Sequence, residues 1–202
     1  IEALARIARA RPDTLLVVAA ISGAGAMKLE TAAWGVDVVV VGSQKALALP
    51  PGLAFLSGSQ RAWARIDAST SPRFYFDLRR ERKAQAGGES AFTPAISLLI
   101  ALEAALDSVE GMGGVLGLVQ NAGTLAAMTR AAAAALGLPL VAPHHFGDAL
   151  TALYPPDGID SGAIVKGLKA EFASTVAGGQ GALKGKIFRI AHLGYYDTTD
   201  IL

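Results

Sequence analysis

The sequence predicts an α/β fold, namely part of an open, mainly parallel sheet layer followed by a small α+β domain. Three observations carry this. Two apolar runs, TLLVVAAIS (14–22) and VDVVVVGS (36–43), lack polar alternation, as do strands covered on both faces. Between them ETAAWG (30–35) reads as a short helix ending at Gly35. The second half then mixes long helical periodicity with short strand-like runs.

In chain order, residues 1–10 read as the last turns of a helix, and RPD marks the switch into the first strand. LAFLSGS (53–59) is a third strand. From Gln60 the composition turns charged and aromatic through SPRFYFDLRRERKAQAGGES (71–90), which reads as a solvated crossing of the first layer. TPAISLLIALEAALDSVEG (93–111) follows, with Thr93 placed to cap a helix and Pro94 at its first position. An Ala-rich helix spans about 116–136, with short strands in LPLVAP and ALTALYPP after it. IDSGAIVKGLKAEF (159–172) is an amphipathic helix, VAGGQGALKG (176–185) a glycine-rich loop and KIFRIAHLG (186–194) a final strand. DTTDIL, at the end, reads as the start of a further helix.

Composition narrows the function. Of 202 residues, 52% are hydrophobic and 17% charged, which places the chain among compact globular proteins. With 18 Lys+Arg against 17 Asp+Glu the net charge is +1, so bulk attraction to nucleic acid or an anionic membrane is not expected. There is no cysteine, which excludes disulfides and thiolate metal sites and fits a cytoplasmic, reducing compartment. IEALARIARARPD reads as neither signal peptide nor anchor, and AAAAALGLPLVAPHHFG falls short of the ~20 apolar residues of a membrane span.

Lys45 stands in GSQKALALPPGLAF (42–55) between an apolar run and a double proline. A lysine at the end of a buried strand loses hydration, which favours the neutral amine and makes it a nucleophile toward carbonyls. The plain alternative is a lysine that has emerged at the strand end and points to water. Gly42 and Ser43 allow close backbone approach, Gln44 offers an amide, and PPG stiffens the exit. In KIFRIAHLG, alternation puts Ile187, Arg189, Ala191 and Leu193 on one face, so the Arg189 guanidinium emerges among apolar neighbours. It suits bidentate capture of a carboxylate, or else a salt bridge between elements. Gly178, Gly179, Gly181 and Gly185 leave space nearby.

Other motifs are weak. ISGAGAMK lacks the third glycine of the dinucleotide fingerprint, and GGQGALKGKI departs from the P-loop at Gln180 and Ile187. The adjacent His144 and His145 have no further ligand at metal spacing, so no metal site is expected. Asp77 reads as a surface acid and Trp34 as a core aromatic.

The strings LLVVAAISGAGAM, WGVDVVVVGSQKALALPPGLAF, PRFYFDL, AFTPAISLLIALEAAL and GGQGALKGKIFRIAHLGYYD together resemble the class V aminotransferases of pyridoxal-phosphate fold type I. Within them the likeness is to the alanine/serine–glyoxylate (serine–pyruvate) branch. The resemblance implies the C-terminal part of the large cofactor-binding domain over residues 1–92. It implies the long connecting helix and small α+β domain, its last helix cut short, over 93–202. It implies pyridoxal 5'-phosphate as cofactor, small amino acids and 2-oxo acids as substrates, and a homodimer. Lys45 matches the lysine that holds the cofactor as a Schiff base and shuttles the α-proton. Gln44 matches a contact to the cofactor phosphate, Thr93 a phosphate contact offered to the partner subunit, and Ile21 an aliphatic residue packed on the pyridine ring. Arg189 matches the clamp on the substrate carboxylate. One departure stands out: the family pattern VVDAISG carries an aspartate against the pyridine nitrogen, and this chain has Ala19 there. That loss should damage turnover more than cofactor attachment. The expectation is a C-terminal fragment of a transaminase, inactive alone; the alternative is a non-catalytic remnant kept for dimerisation or small-molecule binding.

Overall fold

The computed structural model describes residues 1–202 as two compact units. The first comprises residues 1–21, 29–44 and 49–104, the second residues 22–28, 45–48 and 105–202. No helix is long and apolar enough to cross a membrane.

The first unit is built on a three-stranded sheet in the order β1 (Val17–Ala19), β2 (Val38–Gly42), β3 (Ala54–Gly58). β1 and β2 run parallel, with Ala19 opposite Val40; β3 returns antiparallel, with Ala54 opposite Gly42. The expected parallel character therefore holds for one pairing of the two. The segment joining β2 to β3 contains no helix, and a parallel return needs a crossover of a dozen or more residues. α1 (Glu2–Arg9) precedes β1, and α2 (Thr31–Trp34) stops at Gly35, whose left-handed φ of 75° ends the helix at low cost.

The charged stretch after Gln60 is not merely a surface crossing. It forms α3 (Gln60–Ala68), capped where the Ser59 hydroxyl accepts from the Ala62 amide, and α4 (Leu78–Ala86), capped where the Asp77 carboxylate accepts from the Arg79 amide. Asp77 is thus a cap rather than a plain surface acid. Its hydrogen bond from Arg79, foremost, holds its carboxyl below the ordinary value of 3.8. α5 (Ile96–Gly111) begins two residues later than Thr93-Pro94 suggests, and Trp34 is half-buried rather than a core aromatic.

In the second unit, α6 (Gly114–Ala135) packs on a sheet ordered β4 (Leu150–Leu153), β6 (Phe188–Ala191), β5 (Ala177–Gly178), with both pairings antiparallel. Ala133, Leu153 and Phe188 form the buried centre, against which Ile164, Val165 and Ile190 pack. α7 (Ser161–Phe172) starts where Asp160 accepts from the Gly162 amide at 2.7 Å. LPLVAP contributes only an isolated bridge, Leu140 to Leu153. The glycine-rich loop contains β5 and a 3-10 turn over Gly181–Leu183. At the chain end, DTTD makes another 3-10 turn with a reciprocal cap between Asp197 and Asp200.

Candidate functional site

In an open α/β sheet, ligands gather outside the carboxyl ends of parallel strands. β1 and β2 share such an edge, and the first unit presents there Ala19, Ile21 and Gln44, all exposed. Gly42, the last residue of β2, explains how two of them come together. A Cβ at Gly42 would lie 2.7 Å from Gln44 Oε1 and 3.3 Å from Ile21 Cγ2, so the bare backbone is what lets the amide and the aliphatic side chain close over the strand end. Ala19 brings no charge. The buried acid of this unit, Asp37, sits at the opposite end of β2, where it accepts from the Leu16 amide at 2.9 Å and the Ser59 hydroxyl at 3.1 Å.

The segment holding Lys45 is closed by a residue that sequence reasoning treated only as small. Ser43 is 0% exposed, and its hydroxyl donates to the Pro50 carbonyl at 2.8 Å while accepting from the Leu53 amide at 3.2 Å. Its own amide donates to the Leu53 carbonyl, and its carbonyl accepts from the Leu49 amide. Residues 44–49 are thereby drawn into a tight loop with no regular structure of its own. Ala48 adopts a left-handed φ of 56°, strained for a residue with a Cβ, while its amide donates to the Lys45 carbonyl at 2.9 Å.

Lys45 itself is half-buried and belongs to the second unit, where the next residue, Ala46, is packed against Gly25. Gly25 and Gly23, the G-x-G noted in the sequence, serve a turn with a bridge from Ala24 to Met27, and no helix springs from it. Gly194, just beyond β6, has a φ of 107°, and a Cβ there would stand 3.6 Å from the Lys45 carbonyl oxygen. The lysine loop and the exit of β6 are therefore neighbours within this unit.

Arg189 lies in the middle of β6, opposite Ala152 of β4 and Ala177 of β5. The flanking Phe188 and Ile190 face the core, which leaves half-buried Arg189 on the other face, as alternation requires. Its Nε donates to the Gly178 carbonyl at 3.0 Å, and it pairs with none of the acids engaged in ion pairs. Gly178 and Gly181 have open space where a Cβ would go, whereas Gly179 and Gly185 are closely packed, so two of the four glycines provide room.

Thr93 lies exposed ahead of α5, and the helix is not capped by it: the Leu99 amide reaches the Ala95 carbonyl. His144 and His145 are exposed, His145 with a left-handed φ of 57°. The sequence singled out Ser43 for its small backbone but not for its buried hydroxyl, and Gly194 and the buried His192 not at all. Only Ser43 carried a signal, its place directly before Gln44-Lys45.

The aminotransferase class-V family model matches residues 1–139. The soluble hydrogenase small subunit of Synechococcus sp. (strain PCC 6716) is 40% identical over 202 residues, covering 100% of this chain and 52% of that protein. The serine–glyoxylate aminotransferase of Hyphomicrobium methylovorum is 36% identical over 197 residues, 93% of this chain and 47% of its own. Among solved structures, the subgroup IV aspartate aminotransferase of Thermus thermophilus superposes with a TM-score of 0.88 at 36% identity, over 99% of this chain and 56% of that one. The chain spans about half the length of the curated relatives it matches.

Proposed function

Because the chain belongs to the class-V aminotransferases, which depend on pyridoxal 5'-phosphate, we propose that it is part of a transaminase moving an amino group between alanine or serine and glyoxylate or pyruvate. The observation that supports this reading is that the Lys45 backbone neighbours Gly194, at the exit of the strand bearing Arg189.

The residues present fit the holding of the cofactor. Lys45 brings an amine for its aldehyde, Gln44 an amide for its phosphate, and Ile21 an aliphatic surface for its ring. Thr93 contributes a hydroxyl toward the phosphate bound by the partner subunit of a homodimer. When bound, pyridoxal phosphate supplies the electron sink for the charge left as the substrate α-proton departs. The Lys45 amine takes that proton and returns it. Arg189 fixes the substrate carboxylate through its terminal nitrogens, with its Nε already anchored on Gly178, so little orientation entropy remains to be lost. Pairing of the ring nitrogen does not fit. Ala19 stands at the end of β1 without a carboxylate, and Asp37 is committed to the far end of the sheet.

Ala19 favours a second reading, in which the cofactor is held but the transamination is not run. Absorbance distinguishes the two. In a chain completed with the family's N-terminal half and loaded with pyridoxal phosphate, alanine should bleach the bound cofactor's band and glyoxylate restore it; a band unmoved by alanine there would support the second reading and sink the first.

A further inference from the structure

The second unit holds a buried polar cluster that the proposed chemistry leaves unused. His192, 1% exposed, follows β6 directly, and its amide donates to the Ala149 carbonyl at 3.0 Å. Its Nε2 lies 2.8 Å from the Thr151 hydroxyl on β4, and its Nδ1 has no partner. Arg130 of α6 donates to Asp148 at 2.8 Å and stacks over the Phe146 ring at 4.1 Å, and its Nη1 is likewise buried and unpaired.

We propose that His192 is a positioning residue for Arg189, its neutral imidazole tying the exit of β6 to β4 through Thr151. This rests on the reading of Arg189 as the carboxylate clamp. β5 pairs with β6 over only Ala177–Gly178, so the β4 ladder, from Leu153–Phe188 to Leu150–Ala191, is the longer of its two pairings. The Thr151–His192 bond adds a side-chain tie beside the His192 amide–Ala149 carbonyl bond at the end of that ladder, three residues from Arg189.

The tie depends on the imidazole remaining neutral. Whichever ring nitrogen carries the first proton, the imidazolium has an N–H at Nδ1, where no acceptor waits, and a buried unpaired cation is costly. The charged groups that bear on it are Arg130 from α6 and Asp148 from the segment before β4. Burial first, then the Arg130 charge, hold the imidazole below its ordinary 6.5, with Asp148 opposing. Acid therefore loosens the strand that carries Arg189.

The test reads the Arg189 Nε–H directly, by solvent exchange in the full chain labelled with 15N-arginine, its resonance assigned by loss in Arg189→Lys. His192→Gln keeps a bonding amide near Thr151 but cannot gain a proton; His192→Phe fills the space without the bond. Protection in the wild type should fall by roughly tenfold, after correction for intrinsic exchange, between about pH 8 and pH 5. His192→Gln should remain flat, and His192→Phe should be unprotected throughout. Identical pH dependence in wild type and His192→Gln, or wild-type protection in a folded His192→Phe, would overturn the proposal. If His192→Phe does not fold, wild type against His192→Gln decides. Added pyruvate should shift the same resonance; absence of that shift would refute the carboxylate role of Arg189 while leaving the positioning result readable.

Discussion

Ser43 and His192 are both fully buried polar side chains within three residues of one proposed to act on the substrate, yet they are satisfied to different degrees. Ser43 uses its hydroxyl as donor and acceptor, so its loop is fixed whatever the pH. His192 uses one ring nitrogen and leaves the other bare, so what it holds depends on its protonation. The difference teaches that burial alone does not define a polar residue's role; the count of partners does.

Removing the serine hydroxyl should have the largest effect. Ser43→Ala leaves the Pro50 carbonyl and Leu53 amide without that partner and should lower unfolding free energy by about 3 kcal/mol in urea denaturation. Thr151→Val strips the His192 ring of its one partner and should cost about 1.5 kcal/mol by the same measurement. The pH dependence sharpens the contrast. His192 has its native value below 6.5, so the native state binds fewer protons than the unfolded one; its contribution is complete above that value and is lost as pH falls beneath it. The urea midpoint of the wild type should accordingly drop faster than that of His192→Gln once acidified below 6.5, while Ser43→Ala shows a constant deficit. Asp160→Ala, which removes the α7 cap, should cost about 1 kcal/mol. Arg65→Ala breaks an ion pair with Asp13 at 2.6 Å, but Asp13 is 92% exposed, and the change should be within about 0.5 kcal/mol.

Much of the fold was legible because its signals are local. The run VVVV gave β2, the amphipathic pattern of 159–172 gave α7, and Gly35 ended α2 where a left-handed residue was needed. α3 and α4 were hidden by composition: α3 buries only Ala62 and α4 nothing, so periodicity had little to show, although Ser59 and Asp77 stood ready as caps. Thr93 misled for the opposite reason, since a good cap next to a proline is only a propensity, and the chain began its helix at Ile96. At the site, type and placement left Lys45 and Arg189 open between a functional and a plain role, and their proposed roles come from the family resemblance. The Thr151–His192 tie was not legible, because its partners are 41 residues apart and neither has a local pattern that names the other.

The central claim is that Lys45 is the residue that takes the cofactor. Pyridoxal phosphate added to the purified chain, followed by borohydride reduction and peptide mapping, tests it most directly. The account predicts one modified peptide, carrying the label on Lys45 and lost in Lys45→Arg; no label, or label spread over the other lysines with Lys45 unmodified, would contradict it.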